Sequence, residues 1–222
     1  MSDLPLPAGD TASTAPTADA DGLVVSAPAR KRPRPGERRV QILQTLASML
    51  EQPGAERITT AALAARLDVS EAALYRHFAS KAQMFEGLIE FIESSVFTLV
   101  NQIVEREPSG SVQAQRITSM LLQFGEKNPG MVRVMVGDAL VFEHERLIAR
   151  MNQFFDRVES QYRQSLRNLF DANGSITPTV DAQALASGLT AFVVGRLQRF
   201  ARSGFKRSPT EHLELVLPRL TT

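Results

Sequence analysis

The segment 70–78 brings hydrogen-bonding and charged groups together on one side of a predicted helix. At helical spacing, Leu74 and Phe78 fall on the opposite side, where they can be buried. The free side carries a carboxylate, a methyl group, a phenol and a guanidinium, from Glu71, Ala72, Tyr75 and Arg76. Phenol and guanidinium groups donate hydrogen bonds to phosphate oxygens and base edges. The pattern therefore indicates a surface that contacts duplex DNA.

Two short helices with a tight turn between them must position this surface. Thr59 or Thr60 can cap the first helix, and Ser70 can accept hydrogen bonds from the N–H groups that open the second. Asp68 stands where the turn needs a left-handed residue, and Val69 would fill the angle between the helices. The pattern is typical of a helix-turn-helix, whose second helix, predicted at about eight residues and roughly 12 Å, fits the major groove.

Simpler explanations remain for parts of this pattern. Any two amphipathic helices of an all-α protein would show some of it, although the turn is more specific. For Glu71 in the first turn of its helix, we favour an interaction with the helix dipole over contact with a base amino group. Lys81 lies near the expected phosphate track, where a backbone contact and simple solvation fit equally well.

A basic segment precedes the two helices. Before residue 30 the charged side chains are four aspartates, whereas 30–39 carries six cations and one anion, Glu37, a net charge of +5. The cations are Arg30, Lys31, Arg32, Arg34, Arg38 and Arg39. Such a cluster can pair with phosphates or enter the adjacent minor groove, and the alternative is a solvated linker. Residues 1–36 contain few large apolar side chains, so we predict a disordered tail, first acidic and then basic.

Composition excludes several other classes of protein. The chain has 222 residues, of which 43% are hydrophobic, enough for one or two domains with a buried core. The lack of cysteine excludes disulfides and thiolate metal sites, and His77, His144 and His212 show no ligand spacing, so we expect no metal and no cofactor. No apolar run approaches a membrane span, and the N-terminus is unlike a signal peptide, which favours the cytoplasm. The sequence shows no paired carboxylates and no nucleophile with a neighbouring base, so nothing in it favours an enzyme.

Apolar residues at helical spacing predict an all-α fold. Ser80 and Gln83 form a capping box that opens a long helix, and Asn128 to Gly130 mark a break. We predict helices from near Glu37 to before Pro53 and over about 81–105, 112–127, 131–140, 143–170, 181–203 and 210–217. The predicted domains are a tail (1–36), a helix-turn-helix DNA-binding domain (37–82) and a helical regulatory and dimerisation domain (83–222).

Four of these helices carry apolar residues whose burial can be checked. The first helix presents Val40, Leu43, Leu46, Ala47 and Leu50 on one face, and the long helix carries Met84, Phe85, Leu88, Ile92, Leu99 and Ile103. The two long late helices carry Phe154, Phe155, Val158, Tyr162 and Leu166, then Leu185, Leu189, Phe192, Val193 and Leu197. Such a pair could pack against its symmetry mates as a four-helix dimer interface. The dimer would then present two helix-turn-helix units, here called reading heads.

The quoted motifs resemble the TetR (tetracycline-repressor) family. The resemblance is carried by Arg57-Ile58-Thr59-Thr60, by the run from Ser70 to Phe78 and by Ser80-Lys81, within about residues 37–85. A longer match resembles the nucleoid occlusion factors of that family, and it passes through Met84-Phe85, Leu88 to Glu93, Phe124-Gly125-Glu126, Asn128-Pro129-Gly130 and Phe142-Glu143.

The resemblance implies a nucleoid-associated homodimer that binds palindromic chromosomal sites, with more than one dimer per site conceivable. Once on DNA, it would antagonise the tubulin-like GTPase of the division ring and block septation over the nucleoid. The candidate DNA contacts are Arg38, Thr59, Thr60, Ser70, Glu71, Ala72, Tyr75, Arg76, His77 and Lys81. The candidate partner surface comprises Phe91, Met120, Lys127 and Asn128.

This partner surface has alternative explanations. Phe91 could equally be a core residue, and Lys127-Asn128 reads first as a helix C-terminus with Asn128 as a left-handed cap. Leu99 replaces a basic residue of the family pattern, and Lys127 replaces an arginine, which loses the planar fork.

A ligand-responsive TetR-type repressor is the alternative function. It would bind a small molecule in the C-terminal bundle, which would change the spacing of the heads. The polar candidates for such a pocket are scattered along the chain: Gln123, Asn152, Gln161 and Thr190.

Overall fold

The computed structural model describes residues 36–52 and 57–221, which form nine α-helices and one 3-10 turn. The elements are α1 (Glu37–Leu50), α2 (Thr60–Arg66), α3 (Glu71–Tyr75), α4 (Lys81–Arg106), α5 (Gly110–Lys127), α6 (Pro129–Met135), the 3-10 turn (Asp138–Leu140), α7 (Glu145–Ala172), α8 (Pro178–Arg202) and α9 (Leu213–Leu220). These ranges contain no strand, which confirms the predicted all-α class. The predicted tail, with Arg30, Lys31, Arg32 and Arg34 of the basic segment, lies outside the described residues.

Helix α4 is central to the fold because it packs against α1, α5, α6 and α7. Its buried residues include the predicted Met84, Phe85, Leu88 and Ile92, whereas Leu99 is 38% exposed and Ile103 only half-buried. By length and composition α4 could cross a membrane, but eight of its residues, from Met84 to Val100, are buried in the protein core. The helix therefore joins the first three helices to the remaining ones, and the domain boundary at residue 82 stays a prediction.

Helices α7 and α8 form a long antiparallel pair. They are joined by a turn in which Gly174 is left-handed (φ 75°). Most of the apolar residues predicted on these helices are buried, while Phe155, Leu185 and Phe192 are half-buried. These side chains pack within the protomer, so a contact between two copies would have to use the outer sides of the pair.

Two predictions about the first and sixth helices are wrong. On α1 the predicted Leu46 and Leu50 are buried and Leu43 and Ala47 pack against the core, but Val40 is 53% exposed and Ile42, which was not predicted, is buried. The helix predicted over 131–140 ends at Met135, because Gly137 adopts a left-handed conformation (φ 86°) and the chain continues as the 3-10 turn.

Other helix boundaries differ from prediction by a few residues. Helix α8 starts at Pro178 rather than near 181, because a proline suits the first helical position. Helix α9 starts at Leu213 rather than 210 because His212 is left-handed, and it continues past Pro218. Helix α7 begins at Glu145, after its cap His144.

The first helix is held against the bundle by a close approach of backbones. A Cβ added at Gly130 on α6 would lie 2.1 Å from the carbonyl oxygen of Ala47 on α1. Only glycine permits this distance, so α1 and α6 are in direct contact. This contact fixes one side of the helix-turn-helix on the rest of the protein.

Candidate nucleic-acid interface

The turn between α2 and α3 has the geometry that the sequence predicts. Asp68 is left-handed (φ 54°), as expected. Its N–H donates to the carbonyl of Ala65 at 3.2 Å, and the Val69 N–H donates to the carbonyl of Ala64 at 3.1 Å. These two bonds form a Schellman motif, which usually has glycine at the left-handed position. Val69 is half-buried and packs against the core, so the turn sets the angle between the helices.

Side-chain caps hold the starts of both helices. The Thr59 hydroxyl accepts the Ala62 N–H at 3.1 Å, and the Ser70 hydroxyl accepts the Ala73 N–H at 3.3 Å. Thr59 is therefore the cap of α2, while the Thr60 hydroxyl donates to the Glu71 carboxylate at 2.6 Å. Glu71 lies in the first turn of α3, where it suits the dipole, and it also ties α3 to α2.

Helix α3 buries one side and exposes the other. Leu74 and Phe78 are each only 1% exposed, whereas Tyr75 is 46% exposed. Ala72, Arg76 and His77 are also exposed. The helix spans five residues, so the predicted length of about eight is wrong. After Tyr75 the chain turns, and the His77 N–H donates to the Leu74 carbonyl at 2.9 Å. The predicted polar face is nevertheless open to solvent.

Helix α1 fastens the end of α3. The guanidinium of Arg39 donates to the His77 carbonyl at 2.8 Å and lies 4.0 Å above the Phe78 ring. Arg38, the other described cation of the basic segment, donates to the Gln41 side chain at 2.8 Å. The basic segment predicts Arg39 as a cation that could meet phosphates. Its role in positioning α3 is not visible in the sequence, because its two contacts lie far away along the chain.

Lys81 has a protein partner that the sequence did not reveal. Its ammonium forms an ion pair with Glu143, in the segment between the 3-10 turn and α7, and lies 5.7 Å from the Phe85 ring. The Lys81 side chain is 25% exposed and that of Glu143 is 10% exposed. In this structure, Lys81 is therefore neither simply solvated nor free for a phosphate. Half of the predicted capping box is confirmed, because the Ser80 hydroxyl accepts the Gln83 N–H at 3.2 Å. The Gln83 side-chain oxygen accepts the N–H of Ala79 at 2.8 Å rather than that of Ser80.

Two further ion pairs join α4 to α7. Arg146 donates to Glu86 at 2.8 Å, and Arg150 donates to Glu93 at 2.6 Å. The hydrogen bond to Glu93 raises the pKa of Arg150, against the opposing effect of burial. The sequence does contain a pattern that could have indicated these pairs: two acidic residues seven positions apart on α4, and two arginines four positions apart on α7. Together with the Lys81 pair, they hold the start of α4 against the start of α7.

The four residues of the candidate partner surface lie on α4, on α5 and at the start of α6. Phe91 is 47% exposed, so it is displayed rather than buried in the core. Met120 is half-buried on α5, and Lys127 is exposed in the last turn of α5. Because α4 and α5 pack side by side through a three-residue connection, Phe91 and Lys127 lie toward the same end of the pair.

Asn128 differs from its prediction. Its φ of −132° and ψ of 65° are not left-handed, so the predicted left-handed cap is wrong. Instead its side-chain amide donates to the Phe124 carbonyl at 2.8 Å, which satisfies one of the last carbonyls of α5.

Two family models match the chain. The model described as bacterial regulatory proteins of the tetR family matches residues 42–88. The model described as the SlmA-like, tetracyclin repressor-like C-terminal domain matches residues 109–222. The first match contains α2 and α3 with their exposed face, and the second contains α5 to α9.

The chain is also similar to curated proteins. It is 52% identical over 181 residues to nucleoid occlusion factor SlmA of Aliivibrio fischeri strain MJ11, across 81% of this chain and 92% of that protein. It is 49% identical over 191 residues to nucleoid occlusion factor SlmA of Salmonella paratyphi B, across 86% of this chain and 96% of that protein.

A solved structure has the same fold at low sequence identity. The transcriptional regulator FadR of Bacillus subtilis, in complex with stearoyl-CoA, aligns with a TM-score of 0.65 at 13% identity, across 82% of this chain and 97% of that chain. Together with the family models, this likeness confirms the predicted TetR-like architecture.

Proposed function

Because the chain belongs to the SlmA family of nucleoid occlusion factors within the TetR family, we propose that it binds palindromic chromosomal sites as a homodimer and, on DNA, antagonises the tubulin-like GTPase of the division ring. DNA-binding nucleoid occlusion is the function of this chain, and it is not an enzyme. The proposed location is the cytoplasmic nucleoid.

The exposed face of α3 is the observation that carries the DNA-binding proposal. Leu74 and Phe78 hold the helix on the core, so that Tyr75 and Arg76 point to solvent from a rigid support. An exposed phenol and guanidinium on a short helix suit the edges of base pairs in the major groove. The remaining proposed contacts are Arg38, Thr59, Thr60, Ser70, Glu71, Ala72, His77 and Lys81.

Genome-wide mapping of bound sites would supply the duplex needed to test this face. On that duplex we expect Tyr75→Ala and Arg76→Ala to weaken binding by roughly 1–3 kcal/mol each. Arg219→Ala is the matched control, since it removes an exposed arginine from α9. Wild-type affinity in both head variants would remove these residues from the interface. Bound sites scattered over the chromosome favour nucleoid occlusion, whereas clustering at promoters favours a transcriptional repressor.

The outer side of α8 supports the homodimer. It carries mostly small or apolar residues at helical spacing, all exposed or half-buried: Val180, Ala184, Ser187, Gly188, Ala191 and Gly195. A Cβ added at Gly188 or at Gly195 would meet no atom within 4 Å, so neither glycine is required by the packing of the protomer itself. Small side chains let a second helix approach closely, and a two-fold pairing of α7 and α8 would form a four-helix bundle.

Gly188→Arg tests this interface without disturbing the protomer, since open space surrounds its Cβ position. We expect sedimentation velocity to show a dimer for the wild type and a monomer for Gly188→Arg. Gln153→Arg is the control, because it adds the same charge at an exposed position of α7. A Gly188→Arg variant that remains a dimer would move the interface elsewhere.

The proposed surface for the GTPase comprises Phe91, Met120, Lys127 and Asn128. An exposed aromatic ring and an exposed ammonium at one end of the α4–α5 pair would suit a partner segment with apolar and acidic side chains. Leu99, at 38% exposed, adds apolar area where the family pattern has a cation.

Cosedimentation with division-ring polymers, with and without the mapped duplex, tests this partner. We expect binding that increases on DNA and is lost in Phe91→Ala and in Lys127→Glu. Both variants should keep wild-type affinity for DNA, which separates this surface from the exposed face of α3 (the reading face). Absence of cosedimentation in both conditions would count decisively against the GTPase as partner.

A ligand-responsive repressor ranks second because large side chains occupy the centre of the bundle. Tyr162 is fully buried on α7, and its hydroxyl shares a 2.8 Å hydrogen bond with Thr118 on α5. A surface groove of about 610 Å³ lies between α5 and α9, outside that centre. A metabolite that releases the protein from DNA would reverse this ranking.

A further inference from the structure

The Lys81–Glu143 ion pair links the reading head to the segment that precedes α7. Lys81 is five residues beyond Arg76, in the first turn of α4, and its side chain is one-quarter exposed. We propose that Glu143 competes with DNA for Lys81: in the free protein the carboxylate holds the ammonium, and on the duplex a phosphate replaces it and releases the segment 141–144. This inference rests on the proposed DNA binding and adds a response to it.

The segment is built so that it can respond to the loss of this pair. Leu140 and Leu147 on either side are fully buried and fix its ends. Between them, Val141 is 64% exposed and Phe142 is 68% exposed, so neither side chain is anchored in the core. The Glu143 N–H bonds locally to the Leu140 carbonyl at 3.0 Å, whereas its carboxylate reaches across to Lys81. Breaking the pair would therefore free the middle of the segment and leave its ends in place.

Electrostatics makes Glu143 and a phosphate competitors rather than co-ligands. Two anions on one ammonium repel each other, and the repulsion is strong where the carboxylate is 10% exposed and poorly screened by water. The N-terminus of α4 also favours an incoming anion. The neighbouring pairs, Glu86 with Arg146 and Glu93 with Arg150, stay in place and hold α7 on α4. The change is therefore confined to the segment 141–144. Because the Phe142 side chain is exposed, a movement of this segment would alter the protein surface.

Affinity measurements on the mapped duplex test the competition. We expect Glu143→Gln to bind about three- to tenfold more tightly than the wild type, because it removes the competing charge. Glu145→Gln is the matched control, since it removes the same charge two residues away without touching Lys81, and it should give a smaller gain. In a Lys81→Gln background, the gain from Glu143→Gln should vanish.

Unchanged or weaker binding by a folded Glu143→Gln variant would overturn the inference, and thermal melting shows whether the variant is folded. Failure of the proposed function would be seen differently, because the wild type itself would then bind no duplex.

A second measurement follows the segment directly and needs no change at the ion pair. The chain contains no tryptophan, so Phe142→Trp gives a single fluorescent reporter at an exposed position. We expect its emission to change when DNA saturates the protein, and amide hydrogen exchange of the unmodified chain at 141–144 to become faster. An exchange rate and an emission that are both unaffected by saturating DNA would show that the segment stays held and would overturn the release.

Discussion

Individual cations near the reading face differ in what they contact, although the sequence presents them as one basic group. Arg76 is exposed on the face itself, Arg39 holds the end of α3, and Lys81 is paired with Glu143. A guanidinium can donate to a carbonyl and stack on a ring at the same time, whereas an ammonium acts as a point charge. The distinction predicts different responses to substitutions that preserve charge.

Arg39→Lys should weaken DNA binding nearly as much as Arg39→Ala, by about 1 kcal/mol, because lysine keeps the charge but cannot bond to the His77 carbonyl and stack on Phe78 at the same time. Titrations at several salt concentrations would check it, and the salt dependence of Arg39→Lys should match that of the wild type. Full rescue by lysine would mean that Arg39 acts through its charge on a phosphate.

The buried phenol of Tyr162 gives a prediction for alkaline pH. Burial raises the pKa of Tyr162, while the unfolded chain ionises near pH 10. The stabilisation from the protonated phenol is complete below about pH 10 and is lost as the pH rises further, at most about 1.4 kcal/mol per pH unit.

We therefore expect the melting temperature of the wild type to fall above about pH 10 and Tyr162→Phe to lack this part of the fall. Tyr75→Phe, which removes the other tyrosine of the chain, is the control and should keep it. An identical alkaline loss in all three proteins would exclude Tyr162 as its source.

At the scale of helices, the features that the sequence predicts well depend only on residues close together in the chain. The caps Thr59 and Ser70 and the left-handed Asp68 follow rules that involve only a few neighbouring residues, and the structure has all three. The contacts of Arg39 with His77 and of Lys81 with Glu143 join residues 38 and 62 positions apart. Such pairs depend on how helices pack, which one sequence does not reveal.

Helix lengths were predicted less well. Amphipathic spacing continues past Met135 and past Tyr75, although both helices end there. The left-handed Gly137 follows the end of α6, and Arg39 of α1 binds the His77 carbonyl just beyond the end of α3. The exposure of Phe91 and Val40 likewise depends on which helix faces them.

The contact between α1 and α6 gives a prediction about elements rather than single side chains. Gly130→Ala should lower the free energy of unfolding by about 1–3 kcal/mol, because its Cβ would meet the backbone of Ala47, which cannot move without separating the two helices. Gly87→Ala is a graded control, since its Cβ meets the flexible side chain of Leu43 at 3.0 Å and should cost less. Denaturant titration measures both, and equal stability of Gly130→Ala and the wild type would show that α1 and α6 can separate at little cost.

For the whole molecule, charge distribution matters more than net charge. The formal charge is only +1, yet 30–39 carries +5, and this segment runs into the first turn of α1, which contacts the end of α3. Neutralised phosphates release counterions, so each contact steepens the salt dependence of binding by about 0.9. A basic arm on each of two protomers would double this contribution.

Replacing the four cations of 30–34 with glutamine should therefore flatten the salt dependence of DNA binding, by about one unit of slope for each phosphate that is no longer neutralised. Deleting residues 1–29 is the control, because it removes the four aspartates and keeps the cations. Since those aspartates repel DNA, this deletion should preserve or steepen the slope. An unaltered slope in the glutamine variant would make the basic segment a spacer, and the reading heads alone would then account for the electrostatic part of binding.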